Sequence, residues 1–209
     1  IAGMAQDREG AVWIAFASRF CRIQEGLVTT FGAAEGLPPG GGSTSVASDA
    51  RSELWFSRGA RVGVFRDGQF HPKLSLDETP VRICSATSTG LWVCAGSRLL
   101  KCEEGHEPKE HGRLPEKAQA RVLFEDHSGA LWIGTAADGL FRLSDTGVEK
   151  VPTSHQEVDC LGEDREGNIW AGTGGGGLNF IRRRAVALFG REAGLPFESV
   201  RSVCEDAQG

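Results

Sequence analysis

The chain has 209 residues, enough to bury a substantial core in one large domain or two small ones. Its 23 Lys and Arg against 28 Asp and Glu give a formal net charge of -5. The charges are scattered, with no basic stripe interleaved with aromatics, and this argues against nucleic acid as a partner. No run approaches the roughly 18 consecutive apolar residues of a membrane helix, so no membrane contact is expected of this segment. No signal-peptide pattern opens the chain. It begins on Ile1, and its single methionine, Met4, lies inside what reads as a structured segment, so it reads as a piece of a longer polypeptide.

Glycine is abundant, at 29 residues, and tyrosine is absent. Short apolar runs broken by Gly, Asp and Pro, without long capped amphipathic patterns, predict an all-β fold. Five tryptophans, Trp13, Trp55, Trp92, Trp132 and Trp170, recur at spacings of 42, 37, 40 and 38 residues. That period, about 39 residues, matches the blade of a β-propeller.

The units follow in chain order. The first, approximately 1–43, reaches its Trp through AQDREGAVW and ends in FGAAEGLP (31–38). The second, 44–80, approaches its Trp through SDARSELW, and RDGQ (66–69) marks a hairpin between its third and fourth strands. The third, 81–118, is the most decayed: ATSTGLW reads as having lost both the Asp and one residue. The fourth, 119–156, resolves into four strands at 120–126, 130–135, 139–144 and 147–152. The fifth, 157–199, carries EDREGNIW and a second connection, FGREAGLP (189–196). At 200–209, VRSVCEDAQG begins a sixth copy. The expected architecture is one propeller segment over 1–209, with about five four-stranded antiparallel blades and one extra C-terminal inner strand. It is either a fragment, which would form an open arc, or a shortened propeller.

The repeated residues have a structural reason. Asp at the first and Gly at the fourth position of DREG, DHSG and DAQG suit a β-turn in which the carboxylate caps backbone N–H groups. A four-stranded sheet cannot bury both faces alone, so each Trp is expected on a second strand, buried against the neighbouring blade. Asp7, Asp49, Asp126, Asp164 and Asp206 recur once per unit, which spreads them around a disc. A catalytic pair would need two carboxylates within about 5–10 Å.

The run of Glu-Asp, Gly, Trp, Gly-Thr and Gly-Leu at Phe124–Thr135 and Gly162–Leu178, with Phe and Gly-Leu-Pro in the connections, resembles the two-component regulator propeller repeats. The resemblance is sharp in units four and five, fair in one and two, and weak in three. It implies a ligand-sensing, non-enzymatic segment in the periplasmic or extracytoplasmic part of a bacterial signalling receptor, with any histidine kinase elsewhere in the parent chain. The expected partner is an unidentified small molecule or oligosaccharide, or a neighbouring propeller or signalling domain. Other readings are a protein-interaction scaffold and a propeller lyase or hydrolase. The turn also resembles the Asp-box of sialidases, but its Asp-x-x-Gly spacing is one residue longer, and the Tyr nucleophile of that chemistry has no counterpart here.

No cofactor is expected. CEEGHEPKEH (102–111) reads as a charged hairpin and loop rather than a zinc site, and Arg182–Arg184 as a hairpin tip. The six cysteines fall at apolar or small strand positions, as free core thiols. In an oxidising compartment, a Cys84–Cys94 or Cys94–Cys102 link is the alternative. In a propeller, second-to-third strand turns and fourth-to-first connections share one face. The residues that vary there, and so the candidate ligand contacts, are Arg58, Asp138, His155, Gln156, Gly174, Gly175, Gly176 and Gly177.

Overall fold

The computed structural model describes residues 3–182 apart from 41, 42, 89 and 104, and it is a five-bladed β-propeller. Blade one comprises β1 (Gly3–Gln6), β2 (Val12–Ala15), β3 (Phe20–Gln24) and β4 (Leu27–Phe31). Blade two comprises β5 (Thr44–Ser48), β6 (Leu54–Arg58), β7 (Arg61–Arg66) and β8 (Gln69–Ser75). Blade three comprises β9 (Val81–Ser85), β10 (Leu91–Ala95), β11 (Arg98–Cys102) and β12 (Lys109–Arg113). Blade four comprises β13 (Ala120–Glu125), β14 (Leu131–Thr135), β15 (Leu140–Ser144) and β16 (Gly147–Val151). The fifth contributes β17 (Val158–Glu163), β18 (Ile169–Thr173) and β19 (Leu178–Ile181). Its expected fourth strand, the connection at 189–196, the strand at 200–209, Arg183 and Arg184 lie outside the described residues.

Each sheet is an antiparallel meander in chain order, and the inner strands β1, β5, β9, β13 and β17 follow one another around the axis. The turn between first and second strands is set by the repeated Asp. Backbone carbonyls of Asp7, Asp126 and Asp164 accept the N–H of Gly10, Gly129 and Gly167 at 3.0, 2.9 and 3.1 Å. Those glycines have φ near +80°, a region that L side chains rarely adopt. In blade two Ser52 takes the same place at φ +60°.

The Asp side chain joins the turn to the core. In blade four, Oδ1 of Asp126 accepts the N–H groups of Ser128 and Ala130 at 2.9 and 3.0 Å, and Oδ2 accepts the Trp132 indole N–H at 2.8 Å. The indole bond recurs from Trp13 to Asp7, Trp55 to Asp49 and Trp170 to Asp164, at 2.7, 3.1 and 2.9 Å. The indole body then fills the space between blades. Four apolar clusters form, one per boundary, around Trp13, Trp55, Trp92 and Trp132.

Blade three lacks the Asp, and Ala86 stands in its place, but contrary to expectation no residue is missing: the Ala86 N–H donates to the Gly90 carbonyl as the Asp7 N–H does to that of Ala11. Trp92 donates instead to Glu125 Oε1 of the next blade at 2.8 Å, while Oε2 of the same carboxylate accepts the Thr87 N–H. Glu163 does the same for blade four, accepting the His127 N–H at 2.9 Å. In the pairs Glu125–Asp126 and Glu163–Asp164, therefore, Asp caps its own turn and Glu reaches back to the preceding one. Serines replace this Glu earlier in the chain: Ser48 Oγ donates to the Gln6 carbonyl and Ser85 Oγ to that of Ser48.

All five tryptophans lie on second strands, as expected, but only four are buried. Trp13, Trp55, Trp92 and Trp132 are 1–6% exposed, whereas Trp170 is 37% exposed. Trp132→Ala should therefore cost about 3–5 kcal/mol, the usual cavity cost of a large buried group, and Trp170→Ala less than half as much. Urea unfolding of the two variants checks this, and equal losses would contradict it.

Acid should find the same turns. Burial pushes the Asp126 carboxyl up, but the bonds from Ser128, Trp132 and Ala130 outweigh it and hold it below its ordinary 3.8. At Asp164 the bonds from Asn168, Trp170 and Glu166 overcome the burial effect and bring the carboxyl to about 2. A depressed folded-state value means stability that is present above the unfolded value and lost as pH falls through the folded one. The urea midpoint should hold above about pH 4 and fall from there toward pH 2.

Candidate functional site

The turns between second and third strands meet the inter-blade connections on one face, and backbone bonds fix them. Gly59, Gly96, Ala136 and Gly174 donate to the carbonyls of Ser43, Pro80, Gln119 and Glu157 at 3.0, 3.0, 2.9 and 3.0 Å. Blades two to five thus each anchor one connection to one turn.

Seven of the eight candidate ligand residues gather around the connection between blades four and five. Gly139, beside Asp138, donates to the Gln156 carbonyl at 2.7 Å. Thr135 Oγ1 caps the Asp138 N–H at 2.9 Å, and Thr173 Oγ1 caps Gly176 in the same way at 3.0 Å. The first three glycines of the run provide close approach. A Cβ on Gly174 would fall 2.3 Å from Glu157, on Gly175 3.3 Å from the His155 ring, and on Gly176 2.5 Å from Ser154. Ser154 Oγ donates to the Gly176 carbonyl at 2.8 Å, and its N–H to Asn179 Oδ1 at 2.8 Å.

Arg58 is apart from that group, at the turn between β6 and β7. It lines a cleft of about 410 Å³ with Arg61, Leu37, Pro38, Pro39 and Pro72. The connection above it contains a short 3-10 turn, Ala33–Glu35, closed by Gly36 at φ +80°. Glu35 accepts the Gly32 N–H at 2.6 Å.

Two further features escape a reading of loops alone. On the opposite face, blades one and two enclose a cleft of about 750 Å³, with Phe31 and Phe65 among its walls. Its charges are largely paired: Arg22 contacts Asp7 at 2.9 Å and also Glu9, and Arg66 contacts Glu53. The corresponding cleft between blades three and four, about 490 Å³, contains Trp92, Lys101 and His111. Burial, then Lys109 and Lys101, lower the His111 pKa. The signal in the sequence was a cation nine or ten residues after Trp in units one, three and four, Arg22, Lys101 and Arg142. Lys101 and Arg142 lie over the indoles of Trp92 and Trp132, at 5.4 and 5.5 Å. Along the axis, inner strands line a cavity of about 330 Å³ that holds Arg82 and Arg121.

Among the described residues no His, Cys, Asp or Glu cluster has metal-site geometry. Cys21, Cys84, Cys94, Cys102 and Cys160 are all unlinked. Cys84 faces Trp92 and Cys94 faces Leu99 across their strand pairs, rather than another thiol. Burial pushes the Cys94 thiol up to about 12, which makes it a poor nucleophile. Cys160 departs from the expectation of a core thiol: it is exposed on β17, a strand with a single described neighbour blade. Cys204 lies outside the described residues.

Residues 153–175 match the model of the two-component regulator propeller family. That segment of the chain is similar to one two-component regulator propeller repeat. The matched segment contains the His155–Gln156 connection, the Asp164 turn, Trp170 and the first two glycines of the run. Among solved structures, the chain is similar to a protein described as the extracellular domain of a hybrid two-component system of B. thetaiotaomicron. That match has 23% identity and a TM-score of 0.71, and covers 88% of this chain and 28% of the other. A second such B. thetaiotaomicron domain matches at 15% identity and TM-score 0.71, with 88% and 27% covered. Virginiamycin B lyase from Staphylococcus aureus matches at 17% identity and TM-score 0.64, with 88% and 70% covered. These likenesses establish the fold, and the chain spans little more than a quarter of the two signalling relatives. No curated protein matches the chain in sequence.

The loop docking has a direct check. Gly176→Ala places a methyl group against Ser154 and the His155 Cβ, at 2.5 and 2.8 Å. It should displace the 153–157 connection and cost about 1–3 kcal/mol, as overpacking usually does. Amide chemical shifts and a melting curve read both effects, and an unperturbed connection would contradict the close docking.

Proposed function

We propose that this chain is a non-enzymatic, ligand-sensing propeller segment in the extracytoplasmic part of a bacterial two-component signalling protein. The observation that carries the reading is the division of labour within each repeat. The recurrent carboxylates Asp7, Asp49, Asp126 and Asp164 are each occupied by two backbone N–H groups and an indole, so the repeated chemistry holds the fold. What differs from blade to blade is the loop face. The family match and the extracellular signalling relatives support the setting. No helix among the described residues is long and apolar enough to cross a membrane.

In this reading the loop face, with Arg58, Asp138, His155, Gln156 and Gly174–Gly177, receives a small molecule or oligosaccharide, and the packed blades pass the change toward the rest of the receptor. A scaffold reading has one specific observation in its favour. The fifth blade exposes Trp170, Leu178 and Phe180 at 37%, 63% and 45%, an apolar surface suited to a neighbouring domain. The lyase likeness motivates an activity control.

In the intact receptor, Asp138→Lys and Arg58→Glu should each weaken signalling. Asp138 is half-buried and bonds Thr135 through its backbone N–H, so Asp138→Lys should also leave folding within about 1 kcal/mol. Normal signalling from both would remove this face. The purified chain should give no turnover of sialosides, polysaccharides or simple esters, and reproducible turnover would overturn the non-enzymatic reading.

A further inference from the structure

We infer that the cleft between the first Gly-Leu-Pro connection and the β6–β7 turn binds an organic carboxylate with an apolar body, through Arg58 and Arg61. The first argument is uncompensated charge. Arg22, Arg66, Arg98, Arg113, Arg121 and Arg142 each meet a carboxylate. Among the described residues Arg58 meets only a neutral group: its Nε and Nη2 both donate to the Gly40 carbonyl, at 3.2 and 2.8 Å. Its Nη1 is buried without a partner among them. No acidic side chain of the described residues lines the cleft, and Glu35, the acid of the overlying connection, is engaged with Gly32. A guanidinium held in place by a carbonyl and lacking a counter-charge is poised for charge-assisted bonding to a carboxylate.

The second argument is the wall. Arg58 and Arg61 face each other across the pair β6–β7, at the entrance to a surface made of Leu37, Pro38, Pro39 and Pro72. Proline rings and a leucine offer no hydrogen bonds, so they favour an aliphatic or aromatic body over a hydrated inorganic anion. The fixed φ of proline and the bonds from Arg58 to the Gly40 carbonyl hold the cleft before ligand arrives, which lowers the ordering cost of binding. About 410 Å³ is within the range of small-molecule sites.

This deepens the reading of the loop face as a ligand face, yet it is tested by binding alone. The purified 209-residue chain is titrated with benzoate, benzamide and inorganic phosphate by saturation-transfer NMR. Benzoate should bind, with benzamide and phosphate each weaker by about tenfold or more, in line with loss of a charge-assisted bond. Arg58→Gln and Arg61→Gln should each weaken benzoate by a similar factor. Arg61→Gln leaves the Gly40 bond intact, so it reports on the site even where Arg58→Gln disturbs the connection. Absence of benzoate binding, equal binding of benzamide or phosphate, or unchanged binding in both variants would overturn the proposal. Binding as expected with unaltered output from the same variants in the intact receptor would leave this site standing and remove the sensing role.

Discussion

An indole between two β-sheets presents a contradictory demand. Its large apolar body belongs in the core, while its N–H loses water on burial and needs an acceptor, or it costs about 1–3 kcal/mol. Here the first-to-second strand turn answers the demand. The Asp that closes the turn caps two backbone N–H groups with one oxygen and takes the indole with the other. Turn, second strand and blade boundary are thereby coupled through one side chain, and the coupling recurs in blades one, two, four and five. Blade three keeps the bond while changing its source, since Glu125 crosses the boundary to supply the acceptor. The requirement is the bond to the indole, and the residue that meets it is negotiable.

This constraint shapes where function can reside. Asp7, Asp126 and Asp164, engaged by hydrogen-bond donors and held below the ordinary carboxylate range, are poor general bases, and among the described residues each repeated Asp belongs to a different blade. The frame is consequently separable from the surfaces it carries. The connections dock onto second-to-third strand turns through backbone bonds, so side chains that stay clear of those contacts can vary at little cost to the fold. Arg58 and Arg61 on one side of this face, and His155 and Gln156 on the other, are such residues, whereas Gly174–Gly176 are held small by their packing.

Much of this was legible in the chain because periodicity reports contacts that repeat. The spacing of Trp gave the blade, and Asp-x-x-Gly gave the turn with its cap. The glycines at 174–176 stand out in composition, and their packing against Ser154–Glu157 leaves little room for a Cβ. What stayed illegible is non-periodic or distant. Ala86 looked like decay, because its compensation lies 39 residues away at Glu125 and in a different blade. Ser52 at positive φ has no local signature. The exposure of Trp170 and Cys160 depends on which neighbours a blade has, which the repeat itself does not encode. The loop-face residues were named from variability, yet only the fold shows that Arg58 lies apart from the other seven.

The central claim is that the repeated Asp is the indole's partner. A double-mutant cycle on Asp126→Asn and Trp132→Phe, read by urea unfolding, isolates that bond from the turn cap and from the loss of packing. The account predicts a coupling of about 1.5–3 kcal/mol, the range for a hydrogen bond to a charged group. Additive effects, with coupling near zero, would contradict it.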